Sequence, residues 1–375
     1  MDNIENPFLI SGYESPEYFC DRKNETADLL ETLRNGRNIT LTSPRRMGKT
    51  GLIKHCFHLL KEQDQAISVI YIDLFPTENL ADFTQVFASA ALGELDSNPM
   101  KLLKKTTAFF KALRPTITYD DITGKPKISV DIAKGTESHS IEQVFQYLKQ
   151  TEKTCYIAFD EFQQIAHYPE KNIEALLRSY IQDLHNVHFI FSGSQTHMLQ
   201  EMFLSPKRPF YQSTAGKTIG TINEEPYYLF ASGFFKKQER ELPDNIFRVI
   251  YQRYEGHTWY IQMILNRLYS KSARVIDYEL VQECISDILT ENEYYYQSLL
   301  RAYAKGQANL LKAIAKEKKV SEILSGSFIS KYGLTATSSV KSALKRMIDD
   351  EIVYQSDGGY IIYDRFFGEW LASTF

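Results

Sequence analysis

Between residues 38 and 222, short apolar runs alternate with stretches of helical spacing. Residues 38–42 (NITLT) form a β-branched run, and 66–74 (AISVIYIDL) are almost continuously apolar. Residues 155–159 (CYIAF) and 187–191 (VHFIF) repeat that pattern, and 217–222 give a fifth, weaker run. Runs without polar alternation suit strands covered on both faces, as in a parallel sheet. Helical periodicity occupies 17–36, the segment after residue 49 through Leu60, the stretch to about Ala112, 141–149 and 171–184. Residues 114–134 depart from the alternation. Their Thr- and Ile-rich arms flank Gly124-Lys125-Pro126, which predicts an inserted β-hairpin. After about residue 225 the strand signals stop, and 226–300 predict helices alone. Helices at 307–316, 325–332 and 337–349 then precede strands at 351–354 and 359–363, with 355–358 as the turn between them. The expected organisation is an α/β core with a parallel sheet over 1–222, a helical lid over 223–300 and a winged helix-turn-helix over 301–375.

The first strand runs into Ser43-Pro44-Arg45-Arg46-Met47-Gly48-Lys49-Thr50-Gly51, and an apolar helix follows. A strand, a small-residue loop and a helix start that carries Gly-Lys-Thr make a phosphate-binding P-loop. Backbone N–H groups of such a loop and the helix N-terminus cradle phosphates. Gly48 allows close backbone approach, Lys49 reaches the β- and γ-phosphates, and the Thr50 hydroxyl ligates Mg²⁺. The expected cofactors are therefore ATP and Mg²⁺. Ser43 stands where the template has its first Gly, so a Cβ narrows the backbone choice at the loop entrance. Arg45 and Arg46 place extra cationic charge beside the phosphates.

A P-loop needs a second strand that ends in an acid. The run 155–159 ends in Asp160-Glu161. Asp160 is expected to hold Mg²⁺ through its water shell, with Glu161 orienting or deprotonating the attacking water. The next strand ends in Ser192-Gly193-Ser194. A polar side chain here can touch the γ-phosphate or the water, and Ser194 is assigned that role, with Ser192 as the alternate.

Composition narrows the picture. Net charge is −4, so no overall basic field draws nucleic acid. The apolar runs fall short of the roughly 18 residues of a membrane span, and the N-terminus carries no apolar signal region. The four scattered cysteines suit reduced core positions and a cytoplasmic protein.

With these motifs in place, the chain resembles the AAA+/STAND-type P-loop ATPases often called the archaeal ATPase family. The likeness rests on Phe19-Cys20-Asp21-Arg22-x-x-Glu25, the loop from Ser43 to Thr50, Ile72-Asp73-Leu74, Phe159-Asp160-Glu161, Phe191-Ser192-Gly193-Ser194, and Gly256-His257-Thr258-Trp259-Tyr260. Gly359 through Phe367 is similar to the end of that family's winged helix. The resemblance implies an AAA+-like P-loop core, a helical lid and a C-terminal winged-helix domain, laid out as in origin-recognition ATPases. Two positions depart from it. Pro209-Phe210-Tyr211-Gln212-Ser213 replaces a Tyr-Gly-Arg-like motif read in the family as an arginine finger, with Arg208 or Lys217 as substitutes. Thr258 stands where relatives often have Pro. The resemblance thus implies slow or partner-dependent hydrolysis.

The third helix of the C-terminal part exposes Ser338, Lys341, Ser342 and Lys345. Residues 301–375 carry 11 Lys/Arg against 8 Asp/Glu, net +3, and the remainder carries 32 against 39, net −7. Weak duplex DNA binding through Lys341 and Lys345 and a protein partner or self-association both fit this surface. Three readings stay open: an ATP-dependent switch in which ATP closes the lid over the core, a DNA-binding ATPase, and a nucleotide-binding scaffold that barely hydrolyses.

Overall fold

The computed structural model describes residues 5–95, 113–119, 126–133, 135–356 and 358–374. The chain divides into two compact units. One comprises Leu9–Phe230 and His257–Trp259, the other Met1–Phe8, Ala231–Gly256 and Tyr260–Phe375.

The first unit opens with helix α1 (Lys23–Arg34), strand β1 (Ile39–Thr42), α2 (Lys49–Gln63), β2 (Ser68–Asp73) and α3 (Leu80–Leu95). A hairpin follows, β3 (Leu113–Tyr119) with β4 (Pro126–Ile132), then α4 (Glu137–Gln150), β5 (Cys155–Asp160) and a 3-10 turn (Phe162–His167). Helix α5 (Ile173–Ile181), β6 (Val187–Gly193), α6 (Thr196–Leu204) and β7 (Ala215–Thr218) complete the alternation. Five strands form one parallel sheet in the order β2-β5-β6-β1-β7. The acid-tipped β5 is therefore separated from the loop-bearing β1 by β6. The hairpin pairs antiparallel outside this sheet, with Val130 buried in the core. Its expected turn, 124–126, falls largely outside the described residues.

Strand period 2 sorts the side chains onto two faces. Cys155, Ile157 and Phe159 join one cluster with Ile70, Ile72, Phe189 and Phe191. Tyr156, Ala158 and Ile190 join the other, with Leu29, Leu33, Leu52, Ile53 and Phe57 of α1 and α2. Much of the aromatic content serves the first face. Phe162 lies 4.6 Å from Phe191, and Phe191 lies 5.1 Å from Phe203, ring centre to ring centre. By the same parity Tyr71, Asp160 and Ser192 fall on the face of α1 and α2. That places them beside the start of α2, where the P-loop ends.

Strand β7 begins two residues earlier than the apolar run suggests and ends at Thr218. It is an edge strand with one neighbour, and its polar sequence AGKT leaves no apolar signature. Helix α4 starts at Glu137 rather than at residue 141, because its first turn, Glu-Ser-His-Ser, is polar.

The second unit contains α8 (Asp244–Arg253), α10 (Tyr278–Glu291), α11 (Glu293–Arg301), α12 (Lys305–Glu317), α13 (Gly326–Lys331) and α14 (Thr337–Asp349). Helices α7 (Glu224–Lys237) and α9 (Thr258–Ser270) contribute to both units. Strands β8 (Val353–Ser356) and β9 (Gly359–Ile362) form the wing, with Ser356 paired to Gly359 and Gly358 at φ +75°. The wing turn is thus two residues tighter than the four-residue turn expected. A last helix, α15 (Arg365–Thr374), was not anticipated. Its Phe366, Phe367, Trp370 and Leu371 are buried, and Asp364 accepts the N–H groups of Phe366 and Phe367 as its cap. Arg253 of α8 pairs through two nitrogens with Glu369 of α15, so the preceding helices and the wing share one body. Among the described residues no helix is long and apolar enough to cross a membrane.

Candidate functional site

Ser43 follows β1 and is fully buried, and its hydroxyl donates to the Pro44 carbonyl at 2.9 Å. Its backbone is not left-handed, so a Cβ costs nothing at this position. The left-handed positions of the loop are Arg46, at φ +65°, and Gly48, at φ +92°. Such a conformation at a non-glycine residue costs on the order of 1–3 kcal/mol and concentrates at functional sites.

The loop's carbonyls are tied outward. Met47 O accepts from the Arg22 guanidinium at 2.7 Å, and Arg46 O accepts from the Trp259 N–H at 3.1 Å. The Thr258 hydroxyl makes a longer contact, 3.5 Å, to Met47 O. The Arg46 guanidinium lies 4.0 Å from the Trp259 ring centre. Carbonyls held on one side leave the alternating N–H groups for an anion on the other. Gly51 continues the first turn of α2, where a Cβ would lie 3.5 Å from the Phe19 ring.

Lys49 is 6% exposed, and its ammonium donates to Ser43 O at 3.0 Å and to Pro44 O at 3.3 Å. Burial pushes its pKa down, while Glu161 and Asp160 pull it back up. Thr50, the next residue, donates its hydroxyl to Asp160 Oδ2 at 2.8 Å. Tyr71 donates to the same oxygen at 2.6 Å, and Ser192 donates to Oδ1 at 2.7 Å. Burial and the adjacent Asp160 carboxylate hold the Tyr71 phenol well above its ordinary range, so it stays a donor. Glu161 takes a left-handed backbone, φ +51°, which turns its side chain toward the end of β6. Its Oε2 accepts from Ser194 N at 3.2 Å and Ser194 Oγ at 2.8 Å. Arg45 Nε in turn donates to Ser194 Oγ at 3.3 Å.

Thr50, Asp160, Glu161, Ser194, Arg45 and Lys49 are therefore linked by direct contacts or by the loop itself. A hydroxyl and a carboxylate are hard oxygen donors that suit Mg²⁺, which takes few protein ligands and completes its shell with water and phosphate. Among the described residues no cluster of three or more His, Cys, Asp or Glu side chains could hold a metal alone. The Thr50 hydroxyl and the Asp160 carboxylate, 2.8 Å apart, fit Mg²⁺.

Residues 19–264 match a family model described as an ATPase domain predominantly from Archaea. The chain belongs to this ATPase family. Residues 294–373 of the ATPase match a second model, described as a "Probable winged helix domain". No curated protein matches the sequence. The fold is similar to the Walker-type ATPase of Pyrococcus abyssi, at 17% identity and TM-score 0.64, covering 97% of this chain and 99% of that one. It is also similar to the Aeropyrum pernix ORC1 protein in complex with DNA, at 12% identity and TM-score 0.54, covering 96% and 94%. The Aeropyrum pernix ORC2 protein matches at 14% identity and TM-score 0.54, covering 98% and 96%. These likenesses show a P-loop NTPase fold with a C-terminal winged helix.

Two candidate residues of the ATPase lie elsewhere. Arg208 pairs with Glu174 at 3.1 Å and Glu201 at 3.7 Å, on α5 and α6. Lys217 of β7 pairs with Asp28 of α1. Three residues of the cluster had no assigned role from sequence. Tyr71 and Gln163 carry no motif signature. Arg22 belongs to the Phe19–Glu25 motif, and its spacing to Glu25 was the available signal.

Arg22 is 2% exposed and bonds Met47 O, Gly220 O at 3.0 Å and Glu25 at 3.0 Å. It fastens the P-loop to the segment after β7. Arg22→Ala strands the buried Met47 carbonyl and is expected to cost about 1–3 kcal/mol. Urea denaturation measures this, and Arg22→Lys should not restore it, because one ammonium lacks the guanidinium fork. Wild-type stability in both variants would remove the fastening role.

Proposed function

We propose that this ATPase domain is an ATP-dependent switch that binds Mg-ATP at the P-loop and hydrolyses it slowly. The observation that carries the reading is the Thr50–Asp160 contact, 2.8 Å, with Lys49 buried one residue away. It brings the metal-side hydroxyl and carboxylate together at the mouth of a phosphate loop. Lys49 binds the β- and γ-phosphates once it leaves the carbonyls of Ser43 and Pro44. Ser43, Pro44, Arg45, Arg46, Met47, Gly48 and Gly51 form the rest of the cradle. Thr50 and Asp160 would hold a Mg²⁺ that arrives with the nucleotide, and the ion would supply neutralisation of the charge on the phosphates. Glu161 accepts the proton of the attacking water, and Ser194 orients the carboxylate. Arg208 enters only if it leaves Glu174 and Glu201, so slow turnover is the expected resting behaviour. Thr258 and Trp259 contact the Met47 and Arg46 carbonyls, so a nucleotide that reshapes the loop reaches these two residues. Calorimetry with Mg-ATP and phosphate release over hours test the reading. No Mg-dependent ATP binding would end it.

A second reading, duplex DNA binding, is favoured by the exposed face of α14. Ser338, Lys341, Ser342 and Lys345 are all exposed there, and none of the four joins an ion pair among the described residues. The similar ORC1 structure is a complex with DNA. Two to four phosphate contacts give a shallow salt dependence, a slope of about −2 to −4 in log K against log salt. Replacing Lys341 and Lys345 by Glu is expected to abolish this binding and leave ATP affinity unchanged. Fluorescence anisotropy on duplex DNA at low salt is the measurement. No binding by the wild type, with or without ATP, moves α14 to a protein-interaction role.

A further inference from the structure

Gln163 is the second residue after Glu161, in the 3-10 turn that follows β5. It is 4% exposed, yet it is a polar side chain that no motif requires. Its Nε2 donates to Glu161 Oε2, the oxygen that also accepts from Ser194 N and Ser194 Oγ. Its own Oε1 is buried without a hydrogen-bond partner. A buried amide oxygen left unpaired is costly, and such atoms in a native fold need a reason. The orientation is dictated by the carboxylate. Turning the amide over would set Oε1 against Glu161 Oε2, oxygen against oxygen.

A second observation comes from the facing strand. A Cβ on Gly193 would lie 2.0 Å from Gln163 Oε1 and 2.7 Å from Leu199 Cδ1. Leu199 is fully buried, and Gln163 nearly so. Gly193 is therefore the residue that makes room for the Gln163 amide, and its φ is not the reason for glycine there.

We infer that Gln163 is a positioning residue for Glu161. Three donors saturate Oε2 of the carboxylate, and among the described residues none is bonded to Oε1. The carboxylate is thereby fixed through one oxygen, while the other stays able to accept a proton. Without Gln163 the carboxylate keeps only Ser194, on the side of Arg45, and rotates about its side-chain torsions. The unpaired Oε1 of the amide is the cost of keeping the donor on the correct side. This inference rests on the reading of Glu161 as the proton acceptor.

The test compares wild type, Glu161→Gln, Gln163→Met and Gly193→Ala in single-turnover ATP hydrolysis, Mg-ATP calorimetry and thermal melting. Methionine keeps the length and apolar fit of the side chain, and removes both the donor and the unpaired oxygen. Gln163→Met is expected to melt no lower than wild type, to bind ATP unchanged, and to hydrolyse roughly ten- to a hundredfold more slowly, the scale of a catalytic group misplaced by about an ångström. Gly193→Ala, which pushes on Oε1 from the other side, should show the same split between rate and affinity. Wild-type turnover in Gln163→Met alongside a dead Glu161→Gln overturns the positioning role alone. A lowered melting temperature that accounts for the lost rate does so too. Equal turnover in wild type and Glu161→Gln, or none in either, overturns the reading of Glu161 beneath it.

Discussion

Lys49→Ala is expected to abolish ATP binding at ordinary concentrations while the nucleotide-free protein keeps its fold with at most a small drop in melting temperature. The side chain is buried at the mouth of the P-loop, and its ammonium donates to the carbonyls of Ser43 and Pro44 and to the Ser43 hydroxyl. Burial lowers its pKa, a sign that the charged form is poorly solvated where it stands. Carbonyl dipoles compensate only part of that cost, and a phosphate compensates far more. The favourable interaction is therefore reserved for the bound state. Removing a largely desolvated charge-assisted contact costs about 2–5 kcal/mol, a loss of roughly 30- to 4,000-fold in affinity. Arg45 and Arg46 cannot replace it. Arg45 donates to Ser194, and Arg46 is packed on Trp259. Mg-ATP calorimetry reads the affinity and a melting curve reads the fold. Wild-type affinity in the variant refutes the phosphate role of Lys49. A large drop in melting temperature without nucleotide shows that the lysine serves the fold instead.

The parallel sheet was legible because its central strands are apolar on both faces and end in chemistry. Residues 155–161 show this best, since strand parity and the terminal Asp-Glu pair come from one short string. The edge strand β7 was misplaced because an edge with one neighbour need not be apolar. The helix α15 was overlooked because its apolar residues follow the wing directly, with Asp364 as an inconspicuous cap. The start of α2 at Gly48-Lys49-Thr50 was readable from the motif. The supports around it were not. Tyr71 reaches Asp160 only because β2 and β5 pair in register, with Asp73 opposite Asp160. Arg22 reaches Met47 O across 25 residues and Gly220 O across 198. Contacts of that range are products of topology, and local pattern does not encode them. The concern over Ser43 also resolves in the backbone, because the strained position of the loop is Arg46.

Glu161→Gln is expected to keep ATP binding and lose turnover. The metal-side groups do not depend on residue 161, since Asp160 is held by Thr50, Tyr71 and Ser192. A glutamine carbonyl can still accept from Ser194 and Gln163, so its amide nitrogen takes the place of the oxygen that is free in the carboxylate. An amide nitrogen at that position cannot accept a proton from water. The loss expected for removing a general base is about 10²- to 10⁴-fold in rate. The left-handed backbone at residue 161 is retained, because the substitution changes no atom before the terminal group, and the melting curve should therefore coincide with wild type. Single-turnover hydrolysis of labelled ATP, with protein in excess over nucleotide, reads slow rates without a coupled assay. Equal rates in the two proteins would show that Glu161 is not the base. Weaker ATP binding in the variant would instead place Glu161 on the metal, beside Asp160. The expected variant holds ATP without consuming it, so it should retain any partner specific to the ATP state. Affinity capture with and without Mg-ATP then reads whether nucleotide binding alone sets the state of the switch.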